Sequence, residues 1–271
     1  VPDLAAMSLA QASARESVTR RLVALLSMMF AELDKQDRDA SGRYALRAAE
    51  MTRQAQSASA GGAWAFLDAV LRLVFGIEPP AGSPTIGANL RGVPQAEVAL
   101  RPVIEYRWLL SDKRRIDLAR DWNATHPDDL REPDYYDLSP VEAERLVLER
   151  IEKVAEDDVR LAERFASRER LESVPQVTGY RRIIHPERSE SGTCGLCVVA
   201  SDRVYRKGTL LPVHTGCQCT VAPITADLDP GRELNKQDLR RLYAAAGGTG
   251  KTGLSNVRVK AHGELGPQLA A

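Results

Sequence analysis

The sequence predicts an α+β protein: a mostly helical amino-terminal region with long helices, 1–172, and a small mixed α/β carboxy-terminal domain, 173–271, holding a Cys/His knuckle. Three observations carry this expectation. Apolar residues recur at helical spacing through the first half. β-Branched residues and turn formers concentrate from Val174 to Ile224. All four cysteines, with one histidine among them, fall between Cys194 and Cys219. At 271 residues the chain can form one large or two ordinary domains, each with its own core. Its formal net charge is zero, so there is no global attraction to nucleic acid or to an anionic membrane.

From Leu4 to about Lys35, Val18, Leu22, Leu25, Met29 and Leu33 form one stripe, with Arg15, Arg20 and Glu32 placed off it, which predicts a long amphipathic helix. A second helix is expected over about Arg43–Ser57, a break at Gly61-Gly62, and a third helix from Trp64 to Phe75 that stops at Gly76. The apolar runs Leu22–Phe30 and Ala63–Phe75 are too short or too charged, at Asp68 and Arg72, for a bilayer crossing. Prolines and glycines between Ile77 and Asn89 mark a connection. Helix is expected to resume near Pro94, to kink or restart at Pro102, and to run to about Trp122. Ser139-Pro140-Val141-Glu142 is a strong helix start, because the hydroxyl cap and the glutamate three residues on accept from orphan amides of a helix opening and the first-turn proline has no amide to satisfy. That helix is expected to reach about Leu171, a strut of about 50 Å.

In the last hundred residues, Val177–Ile184, Val198-Val199, Val204-Tyr205 and Cys219–Val221 are strand candidates. A helix over Lys236–Ala246, capped by Asn235 and stopped by Gly247, precedes a strand candidate at Asn256–Lys260.

The cysteines read C-x2-C-x16-H-x2-C-x-C: Cys194, Cys197, His214, Cys217 and Cys219. A C-x-x-C turn presents two sulfurs to one ion and a second knuckle closes a tetrahedral shell, so zinc is the metal the pattern suits best. Five candidates exceed the four ligands of a closed site, which leaves His214 or one member of the C-x-C pair outside the first shell. Two disulfides crossing from Cys194 and Cys197 to Cys217 and Cys219 are the alternative, because a C-x-C pair is too short to bridge itself comfortably. Free thiols are the third. The start Val1-Pro2-Asp3-Leu4 lacks a basic, cleavable secretory pattern, so folding in a reducing cytosol is expected, which favours metal.

Other motifs are weaker. Ala245 to Thr252 ends in Gly250-Lys251-Thr252, yet a phosphate loop follows a strand and opens a helix, whereas this segment follows a helix. There is no G-x-S-x-G elbow and no H-E-x-x-H helix. His185 with Ser189 or Ser191, and Cys217 with His214, are conceivable nucleophile pairs, although a hydrogen-bonded histidine or a metal ligand is the blander account. His126 and His262 have no identifiable partner in the sequence. The zinc-deaminase order, H-x-E before P-C-x-x-C, is not met. Arg181, Arg182, Arg188, Arg203, Arg206 and Lys207 outnumber Glu187, Glu190 and Asp202, which permits a local DNA contact or simple solvation.

Val177-Thr178-Gly179-Tyr180-Arg181-Arg182, Cys194-Gly195-Leu196-Cys197, Leu211-Pro212-Val213-His214 and Cys217-Gln218-Cys219 together closely resemble the phage Mu F-like minor head proteins, most of all those of phages infecting actinobacteria. The likeness spans about Val177–Ile224. His262-Gly263-Glu264-Leu265-Gly266-Pro267 looks like the same branch, and weaker likeness surrounds Arg91-Gly92-Val93 and Arg101-Pro102. The resemblance implies a minor capsid protein of the virion head, made in the host cytoplasm and located at the portal vertex. Its partners would be portal and major capsid or scaffold proteins, with no membrane, and its work procapsid assembly, DNA packaging or ejection. Similar proteins also carry the label capsid maturation protease. The matched positions are cysteines and a histidine, so no catalytic residue transfers, and proteolysis stands as the alternative.

Overall fold

The computed structural model describes residues 3–87, 90–185, 188, 193–209, 218–231, 236–262 and 266–270. The chain is α+β and mostly helical. Five helices of 14 residues or more come first: α1 (Leu4–Ala31), α2 (Arg38–Phe75), α3 (Gln95–Leu109), α4 (Asp112–Thr125) and α5 (Pro140–Ser173). Three short helices, α6 (Gly195–Ser201), α7 (Lys236–Ala245) and α8 (Lys251–Asn256), lie among strands β1 (Gly179–Ile183), β2 (Thr193–Cys194), β3 (Thr220–Ile224), β4 (Arg258–His262) and β5 (Gly266–Ala270). Strands β1 and β3 form one antiparallel pair, with Gly179 opposite Ile224 and Ile183 opposite Thr220. The other sheet has the order β2-β4-β5, also antiparallel.

By contacts the chain forms two compact units. One comprises Val1–Val18, Gln56–Ile86 and Arg160–Ala271; the other comprises Thr19–Ala55 and Gly87–Val159. Three of the four boundaries fall within helices, in α1, α2 and α5, and the fourth in the connection that follows α2. The first unit therefore joins the strand-bearing segment to the opening of α1, the second half of α2 and the end of α5.

The first unit has a core of Phe66, Leu67, Val70, Leu71, Leu171 and Tyr180, among others, which uses the apolar half of α2. That half belongs to a helix long and apolar enough to cross a membrane by length and composition, and 44% of its most apolar window is buried within the protein. α2 ends at Phe75 because Gly76 takes φ +65°, and the Ile77 amide donates back to the Leu71 carbonyl at 2.9 Å. The expected break at Gly61-Gly62 is corrected: α2 runs unbroken through both glycines. A Cβ on Gly61 would meet open space, and one on Gly62 would make ordinary contact with the Gln11 side chain on α1, 3.4 Å away.

The second unit packs Phe30, Tyr44 and Tyr106 edge to face, with ring centroids 6.1 Å apart in both Phe30 pairs. Burial pushes the Tyr44 phenol pKa up. Lys35 lies over the Phe30 and Tyr106 rings and reaches Glu144 at 3.3 Å. Asp158, buried on α5, accepts from Arg91 at 2.5 Å and Gln95 at 2.8 Å. The predicted capping box at α5 is present: the Ser139 amide donates to Glu142 at 2.9 Å, and the Glu142 amide donates to Ser139 Oγ at 3.2 Å. Those bonds from Ser139 hold the Glu142 carboxyl below its ordinary pKa.

Two further expectations are corrected. Pro102 lies inside α3 without ending it, and the interruption falls at Ser111, whose hydroxyl caps α4 by accepting from the Arg114 amide at 3.3 Å. Val198-Val199 belongs to α6, not to a strand. Six of its seven residues are buried, and an apolar run that short does not distinguish helix from strand by period.

Candidate functional site

Strand β2 ends at Cys194 and turns directly into α6, which places Cys197 in its first turn. Cys219 immediately precedes β3. Cys197 is 4% exposed and Cys219 is 2% exposed, and both belong to one apolar cluster with Ile184, Val198, Leu242 and Leu254. The structure thus brings two of the five sequence-predicted ligands together. Cys194 is described by its backbone alone, and His214 and Cys217 lie outside the described residues. Among the described residues no group of three or more histidines, cysteines or carboxylates gathers as a metal site. Two buried sulfurs in one apolar cluster are compatible with a soft metal, a crosslink or packed thiols.

Two motif glycines have a steric cause. A Cβ on Gly195, within C-G-L-C, would come 2.8 Å from the Leu254 carbonyl oxygen, and the Gly195 amide donates to Val257 at 2.8 Å. A Cβ on Gly179, within V-T-G-Y-R-R, would come 2.7 Å from the Tyr205 carbonyl oxygen. There the chain forms the Tyr180–Tyr205 bridge, with the two rings stacked at 5.2 Å.

Gln218 and Cys219 are held by arginines from two helices. Arg15 on α1 donates through Nη2 to the Gln218 carbonyl at 2.9 Å and to Gln218 Oε1 at 3.0 Å. Arg164 on α5 donates to the Cys219 carbonyl at 2.9 Å. Glu163 pairs with Arg15 at 2.7 Å, with both side chains almost fully buried. Carbonyl oxygens beside the cysteines therefore receive charged donors, which are stronger than neutral ones in a low-dielectric interior. Beside this clamp, at the start of β3 and just past the end of β1, His185 Nε2 lies 3.1 Å from both Ser8 Oγ and Thr220 Oγ1, and the two hydroxyls also bond to each other. All three residues are buried.

This places the sequence candidates as follows. His185 meets Ser8 and Thr220, while Ser189 and Ser191 lie outside the described residues. Arg181 is buried, paired with Asp229 at 2.7 Å and bonded to the Asp202 carbonyl, and Arg182 is buried beneath the Tyr205 ring. Arg188 pairs with Glu16, and burial followed by the charge of Arg15 lowers its pKa. Of the six cations in the basic stretch, Arg203 and Arg206 are exposed. Gly250 opens the six-residue α8, and the nearest preceding element is α7, so the glycine-rich segment lacks the strand a phosphate loop requires. His126 stacks on Trp122 at 3.7 Å, with the Arg131 guanidinium on the ring at 3.6 Å.

Comparison with protein-family models, curated proteins and solved structures finds no match.

Sequence reasoning missed Ser8, Arg15, Glu163, Arg164 and Thr220. A signal for two of them was present: Arg15 precedes Val18 and Leu22 by three and seven residues, and Ser8 continues the same face. Arg15 therefore belongs on the apolar stripe, not off it, and it is buried there.

Proposed function

We propose that this chain is a phage minor head protein, a minor capsid component at the portal vertex that acts in procapsid assembly and in DNA packaging or ejection. Its helical part docks on portal, major capsid or scaffold proteins, and its cysteine module is a structural joint. Zinc held by four of Cys194, Cys197, His214, Cys217 and Cys219 belongs to this reading. The motif likeness over Val177–Ile224 supplies the family. The observation that favours a joint over a reactive site is the clamp on Gln218 and Cys219, where Arg15 and Arg164 fix the carbonyls on either side of the buried Cys219 side chain.

Mass spectrometry of purified virions and procapsids tests the reading. A few copies per particle are expected; absence from both particles would sink it.

The competing reading is a capsid maturation protease, favoured by the Ser8–His185 contact at 3.1 Å. A hydroxyl beside an imidazole is the start of a nucleophilic pair. Both residues are buried, which gives a substrate no access in this conformation. Coexpression with the major capsid and scaffold proteins decides it, with no cleavage expected on adding this chain and a Ser8-dependent cleavage reversing the conclusion.

A further inference from the structure

Between α4 and α5 the second unit sends out a loop that is fastened by its own side chains. The Asn123 amide group donates to the Arg131 carbonyl at 3.0 Å and accepts from the Arg131 backbone amide at 2.8 Å, which closes residues 123–131 on themselves. At the tip the Asp129 amide donates to the His126 carbonyl at 3.1 Å, and Trp122 Nε1 donates to the Asp129 carbonyl at 2.8 Å. The Arg131 guanidinium contacts two rings, 3.6 Å from the centre of Trp122 and 4.3 Å from that of Tyr135. Both neighbours of Leu130 are thereby tied, yet Leu130 itself is 69% exposed. No residue from His126 to Asp137 is fully buried, so the ordering does not serve an interior. A lone exposed leucine on a slack loop would need no account. One whose flanking backbone is already fixed has little chain entropy left to lose on association, which is what a docking knob requires.

The charge around Leu130 states what kind of surface it meets. From His126 to Asp137 five carboxylates stand with one arginine. Arg131 engages Asp129, and Arg115 on α4 engages Asp134 and Asp137, so the exposed Asp128 and Glu132, two residues to either side of Leu130, set the sign. An acidic tip is repelled by the phosphates of nucleic acid and by anionic lipid, and neither suits it as a partner. A protein pocket with an apolar floor and a rim of lysine or arginine matches both the leucine and the carboxylates.

We propose that the 123–131 loop is a docking knob that seats Leu130 in a basic-rimmed apolar pocket of another protein. The identity of that protein rests on the viral-head reading, which makes it the portal, major capsid or scaffold protein.

The test measures binding of the full chain to the purified portal, major capsid and scaffold proteins of the phage that encodes it. Binding to one of them is expected, with Leu130→Asp weakening it about 10-fold or more and Leu46→Asp, at a residue 67% exposed on α2, leaving it unchanged. Asn123→Ala, which keeps Leu130 but unties the loop, should weaken it several-fold. Reversing Asp128 and Glu132 to lysine should also weaken it, and should remove the fall in affinity that the wild type shows between about 0.05 and 0.5 M salt. Circular dichroism establishes that each variant is folded; if Asn123→Ala is not, the comparison of Leu130→Asp with Leu46→Asp decides. Wild-type binding that Leu130→Asp leaves intact overturns this inference and leaves the viral-head reading standing. Binding to none of the three proteins contradicts that reading and takes the inference with it. A dimer in light scattering at about 50 μM that Leu130→Asp dissociates would make a second copy the occupant, and would overturn the proposal as well.

Discussion

The two compact units use different physics to hold the same long helices. In the second unit the interior is mainly apolar and aromatic, with Phe30, Tyr44, Tyr106, Val147 and Ile151 at its centre and with Asp158 and Lys35 as its buried charges, and its helix ends are closed by Ser111, Ser139 and Glu142. In the first unit the apolar clusters are interleaved with buried charge: Arg15, Glu163, Arg164, Arg170 and Arg181 are all buried. Arg170, for example, reaches Asp68 at 2.5 Å and the Pro80 carbonyl at 2.8 Å, and lies over Trp64. The difference teaches where each unit is vulnerable. An apolar core yields gradually to lost volume, whereas a charge network fails when one partner is removed and the other remains desolvated.

The largest effect is therefore expected at Arg15. Arg15→Ala leaves Glu163 buried without its partner and removes donors from Gln218, and it should lower stability by about 3–5 kcal/mol in urea titration. The double variant Arg15→Met/Glu163→Leu should regain much of this, since replacing a whole buried pair with apolar groups is far milder than breaking it. If the single variant costs under about 1 kcal/mol, the contrast between the units collapses. In the second unit Ile151→Ala should cost about 2–5 kcal/mol by cavity formation, with no apolar double variant able to rescue it in the same way.

The smallest effects belong to the caps. Ser139→Ala should cost about 1 kcal/mol by removing the hydroxyl that accepts from the Glu142 amide. The same box gives a pH dependence. Hydrogen bonds from Ser139 depress the Glu142 pKa below its ordinary 4.5, so its contribution is complete well above 4.5 and disappears as pH falls through the lower folded value. The Asp37 carboxyl, which caps α2 by accepting from the Asp39 and Ala40 amides, is depressed in the same direction. Urea midpoints between pH 7 and 3 should fall for the wild type, and the fall should be shallower in a Glu142→Gln variant.

The contrast also explains what could be read from the sequence. The second unit's signals are local: the S-P-V-E start and the i, i+3, i+4 spacing of Val147 and Ile151 act within one helix. The first unit's network joins residues far apart in the chain, such as Arg15 with Glu163 and Gln218, or Ser8 with His185 and Thr220. No window of sequence displays those pairs. The cysteine pattern was visible and its glycines were visible, but the reason for Gly195 is the Leu254 carbonyl nearly sixty residues later. Propensity misled at Gly61-Gly62, where the helix continues into a buried half that carries Phe66, Leu67, Val70 and Leu71, and at Val198-Val199, where burial outweighed a local preference.

The central claim is that the cysteine cluster is a structural joint. The most direct test is metal content by elemental mass spectrometry on protein purified without chelator, with thiols counted on the same sample. About one zinc per chain, with thiols reactive only after denaturation and chelation, is the predicted result. No zinc, with thiols that titrate in the native protein, would contradict it.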